Sequence, residues 1–75
     1  MSEKQTILII EDDRAISNFI SRALAASDYR ALPAFTGKEG ISLFFSHGPD
    51  LVLLDLGLPD MDVLEILAQL RDLPR

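Results

Sequence analysis

The chain has 75 residues and no cysteine, which bounds it to one small domain and excludes a disulfide framework or a cysteine-ligated metal. Hydrophobic residues make up 48% and charged ones 25%, a globular rather than a disordered balance. The formal net charge of −5 argues against this chain gripping a nucleic-acid backbone; no apolar stretch of about 18 residues is present and "MSEKQT" holds no apolar signal region, so no membrane span and a cytoplasmic location are expected.

In chain order, "TILII" (residues 6–10) is short, apolar and rich in β-branched residues, the pattern of a strand buried on both faces. "EDD" ends it. From Arg14 the period changes: Ala15, Ile16, Phe19, Ile20, Ala23 and Leu24 fall on one face of a helix, and Asp12 or Asp13 is placed to cap it. "ALPAF" (residues 31–35) reads as a second strand, and Pro33, which donates no ladder bond, makes it an edge strand. Thr36 caps a second helix through "GKEGISLFFSH", with Ile41, Phe44 and Phe45 on its buried side and Gly40 lowering its propensity.

"HGPD" is a turn. "LVLLDL" (residues 51–56) is apolar enough to be a central strand, and "GLPDMD" is a loop. Asp62 caps a last helix with Glu65 three residues on in a capping-box spacing, and Val63, Ile66, Leu67, Leu70 and Leu73 share its inner side. The order β-α-β-α-β-α with short loops implies parallel strands joined by right-handed crossovers, an α/β fold.

Ligands in such sheets bind beyond the carboxyl ends of the strands. Two of the three strands end there in acid: Glu11, Asp12 and Asp13 after the first, Asp55 after the third. Neighbouring strands are about 5 Å apart, so these carboxylates would form one cluster. They repel one another unless a cation is present, and their hard oxygens suit Mg²⁺. A carboxylate beside Mg²⁺ is a nucleophile towards a phosphoryl group, which is the functional reading of Asp55, and Gly57 would let its backbone carbonyl approach the metal.

Each acid also has a plainer reading. Asp13 sits at the helix entry and reads as a cap. Asp55 is a poor cap, because the next helix starts well beyond it and Asp62 serves better. Asp60 and Asp62 read as loop and cap residues, and His47, in a breaker-rich turn, as solvated.

"ILIIEDD" and "PDLVLLDLGLPDMD" resemble the first strand with its acidic pair, and the third strand, acceptor aspartate and loop, of the receiver domain of two-component response regulators. "DLGLPD" is most similar to the winged-helix DNA-binding (OmpR-like) class and, within it, to potassium-system regulators. The resemblance implies that Asp55 accepts a phosphoryl group from a sensor histidine kinase and that the domain is a phospho-acceptor rather than an enzyme. It implies Mg²⁺ bound by Asp12 directly, by Glu11 through water, by Asp55, and by the backbone carbonyl of Gly57. The family fold is a five-stranded flavodoxin-like (CheY-like) sheet in order 2-1-3-4-5. The whole chain, residues 1–75, aligns with its first three β-α units, so three parallel strands in order 2-1-3 with three helices are expected.

The departures set further expectations. The chain ends where the family's fourth strand begins, so a truncated receiver without an effector domain is expected. The family's Ser or Thr and its Lys at the phosphoryl group have no counterpart among these residues. Lys4 precedes the first strand, and Lys38 lies behind the edge strand, so phospho-transfer is expected to be impaired. Val63 stands where the family usually has Gly, and a left-handed backbone there would strain a β-branched residue.

A third strand left at an edge is an association hazard. A twofold dimer through that strand, in order 2-1-3-3′-1′-2′, would cover it. The alternative function is thus a non-signalling receiver fragment, natural or engineered, that self-associates through its third strand. A Mg²⁺-dependent phosphohydrolase would want a second acid two residues after Asp55, where the chain has Gly57.

Overall fold

The computed structural model describes residues 4–71. Strand β1 is Thr6–Ile10, helix α1 Arg14–Ala26, strand β2 Arg30–Ala34, helix α2 Gly37–His47, strand β3 Leu51–Leu54 and helix α3 Val63–Leu70. The three strands form one parallel sheet in order β2-β1-β3; the alternation of elements implies the parallel pairing, and the receiver resemblance the order. Leu73, expected on the inner side of α3, lies outside the described residues.

β1 is the centre of the sheet. Ile7 to Ile10 are all at most 5% exposed, which is why its apolar run has no polar alternation. On one face Leu8 and Ile10 join Ala34, Leu58 and Ile66 in the core, with Ile41, Phe44, Val52, Leu54 and Met61 packed around them. α2 and α3 supply that layer. Gly40 belongs to it for a steric reason: an added Cβ would overlap Ile10 Cδ1 and lie 2.7 Å from its Cγ1. Overpacking costs about 1–3 kcal/mol, and the Gly-to-Ala gain in helix propensity returns at most about 1 kcal/mol. Gly40→Ala is therefore expected to lower stability, read as an earlier urea midpoint at unchanged slope.

The ends of the elements follow local hydrogen bonding. The Asp13 carboxylate accepts from Ala15 N and Ile16 N at 2.9 and 3.1 Å, the N-cap expected of it. Thr36 Oγ1 accepts from Glu39 N at 3.0 Å, and Glu39 Oε1 accepts from Phe35 N at 2.8 Å. Gly48, at φ 58°, closes α2 in the left-handed conformation. Asp50 pins the entry of β3: its N–H donates to Thr6 O and its Oδ2 accepts from Thr6 N, both at 2.8 Å.

Several expectations are corrected. β3 stops at Leu54 rather than residue 56, because β1, its ladder partner, ends at Ile10; Leu56 is 77% exposed. β3, whose apolar run is that of a central strand, is an edge among the described strands, as the expected order 2-1-3 requires, and Leu51 and Leu53 are exposed. The inner face of α1 is rotated from the expected one. Ser17 is buried and Ile20, Ser21 and Leu24 half-buried, while Ile16 and Phe19 stay exposed, since α1 packs over β1 and β2 and leaves its other flank open. Phe45 is exposed and meets Phe44 edge-on at 5.1 Å.

Asp62 does precede α3, but its side chain makes no cap bond, so the capping box with Glu65 does not form. Val63 carries no strain. Asp28 is the sole non-glycine with positive φ among the described residues, and Val63 is an ordinary first helical residue.

Candidate acidic site

Glu11 follows the last paired residue of β1, with its N–H donating to Ala34 O at 3.0 Å. Its Oε2 accepts from Asp13 N at 3.0 Å, so the turn into α1 is built by acids bonding to backbone. Asp12 sits between them, exposed. Asp55 is the first residue beyond β3, yet its N–H still donates to Ile10 O at 2.9 Å, which ties the tip of β3 to the tip of β1. The register Ile10↔Leu54 therefore places Glu11 and Asp55 side by side.

Glu11, Asp12 and Asp55 each offer a carboxylate oxygen, and these atoms all lie within 4.8 Å of one another. Glu11 and Asp55 are half-buried. The expected cluster is thus brought together; Asp13 is turned away from it into the cap of α1. Among the described residues no protein cation pairs with these carboxylates: the ion pair there is Lys4–Asp28 at 3.6 Å, beyond the opposite end of β1. Arg14 stacks instead on the Phe35 ring, 4.0 Å from its centroid. Three hard oxygens converging without a cationic partner are a donor set that fits Mg²⁺.

The loop 55–62 carries the rest of the expected site. Gly57 N donates to Asp55 Oδ1 at 3.2 Å. An added Cβ at Gly57 would meet no protein atom nearer than that oxygen at 4.0 Å, so packing within the chain does not itself demand glycine there. Lys38 lies on the first turn of α2 and lines a groove between α2 and α3 rather than the acid cluster.

Asp60, expected to be a plain loop residue, is a bridge to α2. Its carboxylate reaches across to α2, where Oδ1 accepts from Gly37 N at 2.8 Å and Oδ2 from Lys38 N at 3.1 Å. The Gly37 bond, foremost, holds its pKa below the ordinary carboxylate value. The signal for it was present: Thr36 satisfies Glu39 N, but the first N–H groups of α2 still needed acceptors. Nothing in the sequence says that a residue more than twenty positions away supplies them.

The family model for the response regulator receiver domain matches residues 7–75. The chain belongs to the receiver domain family of response regulators. Receiver domains are the phospho-acceptor modules of two-component signalling; they take the phosphoryl group from sensor histidine kinases and bind Mg²⁺ at an acidic site. The expected likeness to OmpR-like regulators holds as well. This receiver is 42% identical over 65 residues to the KDP operon transcriptional regulatory protein KdpE of Escherichia coli, covering 87% of the chain and 29% of that relative.

Among solved structures, the CheY-like receiver domain from Methylobacillus flagellatus superimposes with a TM-score of 0.89 at 32% identity, over 96% of this chain and 61% of that one. The response regulator TrrA from Thermotoga maritima, solved with Mg²⁺ and BeF, does so with a TM-score of 0.84 at 31% identity, over 89% of this chain and 58% of that one. The receiver thus spans under a third of the curated relative and somewhat over half of these solved chains.

Proposed function

We propose that Asp55 is the phospho-acceptor of this receiver and that Glu11, Asp12 and Asp55, with the backbone carbonyl of Gly57, hold Mg²⁺ beside it. The observation that carries the reading is the convergence of three carboxylate oxygens within 4.8 Å, with no ion pair to any of them among the described residues. Bound there, Mg²⁺ would supply charge neutralisation on the phosphoryl oxygens.

The chain's own residues do the rest. An Asp55 carboxylate oxygen attacks phosphorus and forms the new O–P bond. The bond from phosphorus to the donor breaks, and the leaving group takes its electron pair: an imidazole nitrogen when a sensor histidine kinase is the donor, acetate when acetyl phosphate is. A carboxylate nucleophile needs no general base, and the transferred group ends on the chain's own Asp55, which makes the chain an acceptor. The bond from Asp55 N to Ile10 O fixes the nucleophile's backbone, and the bond from Gly57 N to Oδ1 orients its carboxylate.

Lysine is not placed to help: Lys4 pairs with Asp28 and Lys38 lines the α2–α3 groove. Uptake by this chain alone is therefore slow and impaired. The acidic net charge of −5 keeps DNA reading outside residues 1–75, in a parent regulator, and the kinase reaction belongs in the cytoplasm. The test is intact-mass measurement after incubation with acetyl phosphate. A single phosphate-sized gain that needs Mg²⁺ is expected; no gain at saturating Mg²⁺ refutes the acceptor role.

A second property rests on a separate observation: β3 is an edge strand among the described residues, and Leu51 and Leu53 on it are 54% and 37% exposed. Two copies pairing β3 with β3′ about a twofold axis would form a six-stranded sheet, with the central contact antiparallel and the acid clusters at opposite ends. Sedimentation equilibrium at micromolar concentration should give a dimer mass that Leu53→Lys returns to monomer. A folded monomer of the parent chain would remove this arrangement.

A further inference from the structure

We infer that Asp60 is a positioning residue for the acceptor loop: its carboxylate latches the loop 55–62 onto the first turn of α2 and so holds Gly57 at the acidic site. The inference deepens the proposed Mg²⁺ site and rests on that reading for its effect on the metal, though not for the latch itself.

The geometry carries it in three steps. First, the two oxygens of Asp60 are used separately, one on Gly37 N and one on Lys38 N. Two bonds to successive backbone groups fix the orientation of the loop as well as its distance, which one bond would not. Secondly, the loop is pressed against the same turn. Gly37 is buried, and an added Cβ there would lie 3.0 Å from Met61 Sδ, 3.1 Å from Met61 Cβ and 3.0 Å from Ile66 Cδ1. The residue after Asp60 is thus seated on the glycine whose N–H Asp60 accepts.

Thirdly, the fixed points bracket the site. The loop is tied at its start by Asp55 N to Ile10 O at 2.9 Å, anchored by the buried Leu58, and tied again at Asp60. Gly57 is exposed and lies between the first two ties, held otherwise by one 3.2 Å bond to Asp55 Oδ1. Without Asp60, the outer half of the loop has only the packing of Leu58 and Met61 to keep it against α2. The position of the Gly57 carbonyl then becomes soft. The lowered pKa of Asp60 accords with a carboxylate kept charged by backbone donors.

The test uses the 75-residue chain and two variants, Asp60→Ala and the milder Asp60→Asn, which keeps one acceptor oxygen. Amide hydrogen exchange is measured without metal, and Mg²⁺ affinity by calorimetry. In Asp60→Ala, exchange should accelerate at Gly57 as well as at Gly37 and Lys38, and Mg²⁺ affinity should fall about tenfold, as for other groups that orient ligands. Asp60→Asn should fall between the two chains in both readings, and it carries the test if the alanine variant does not fold.

Faster exchange confined to Gly37 and Lys38, with Gly57 and Mg²⁺ affinity unchanged, would reduce Asp60 to a helix cap and overturn the inference. A parent chain that binds no Mg²⁺ would instead sink the metal site. Gly57 exchange would then decide the latch by itself: faster in Asp60→Asn upholds it, unchanged overturns it.

Discussion

Asp55→Asn is expected to abolish phosphoryl uptake outright, under conditions in which the parent chain gains one phosphate. The amide is close to the carboxylate in shape, and its Oδ1 still accepts from Gly57 N, so the loop keeps its 3.2 Å tie. What is lost is the anionic oxygen that forms the O–P bond; an amide oxygen is too weak a nucleophile to replace it. The effect is therefore all or none rather than graded.

The matching controls are the neighbouring acids. Asp13→Asn keeps the cap of α1 through its remaining oxygen and should keep the mass gain. Asp62, whose side chain makes no cap bond, should tolerate Asn equally. Loss of uptake in either control, with the fold intact, would show that the acceptor is not singled out by its position at the tip of β3.

Ile66→Ala is expected to have the largest effect on stability. Ile66 is fully buried in the cluster with Leu8, Ile10, Ala34 and Leu58. It is the one residue of α3 buried to that degree, and its Cδ1 takes the space beside Gly37, 3.0 Å from where a Cβ would stand. Truncating a buried isoleucine costs about 2–5 kcal/mol, while a domain of this size has only about 3–5 kcal/mol to lose. The variant should melt without a cooperative transition at room temperature, seen by circular dichroism. Leu64→Ala on the same helix removes a side chain that is 70% exposed and should shift the midpoint little. Equal effects of the two would mean that α3 is not docked through Ile66.

Most of the architecture could be read from the sequence because period and turn chemistry agree. The unbroken apolar run of β1 specifies a doubly covered strand, and Asp13, Thr36 and Pro33 mark ends and edges by local rules that tertiary context did not override. The acidic site was legible in part: the sequence puts acids at two strand tips, while the adjacency of those strands came from the receiver resemblance, and the turn of Asp13 into the cap of α1 separates it from the other three. What escaped were the facts set by which neighbour is present. The helical period of α1 locates an apolar stripe, but only the position of the helix over β1 and β2 decides that Ser17 goes under and Phe19 stays out.

The length of β3 depends on where β1 ends, not on its own leucines. Asp60 looked like a loop residue because its partners on α2 are distant in the chain. Val63 looked strained because a family habit was read as a backbone requirement, whereas its backbone here is ordinary helix.

The central claim is that Glu11, Asp12 and Asp55 hold a single divalent ion between two adjacent strand tips. The most direct measurement is paramagnetic broadening of backbone amide resonances on titration with Mn²⁺ in place of Mg²⁺. The account predicts that the amides of Glu11, Asp12, Asp55 and Gly57 broaden first and together, and that Mg²⁺ reverses the effect by competition. Broadening that begins elsewhere, at Glu39 or Glu65 for example, and leaves Asp55 sharp would contradict it.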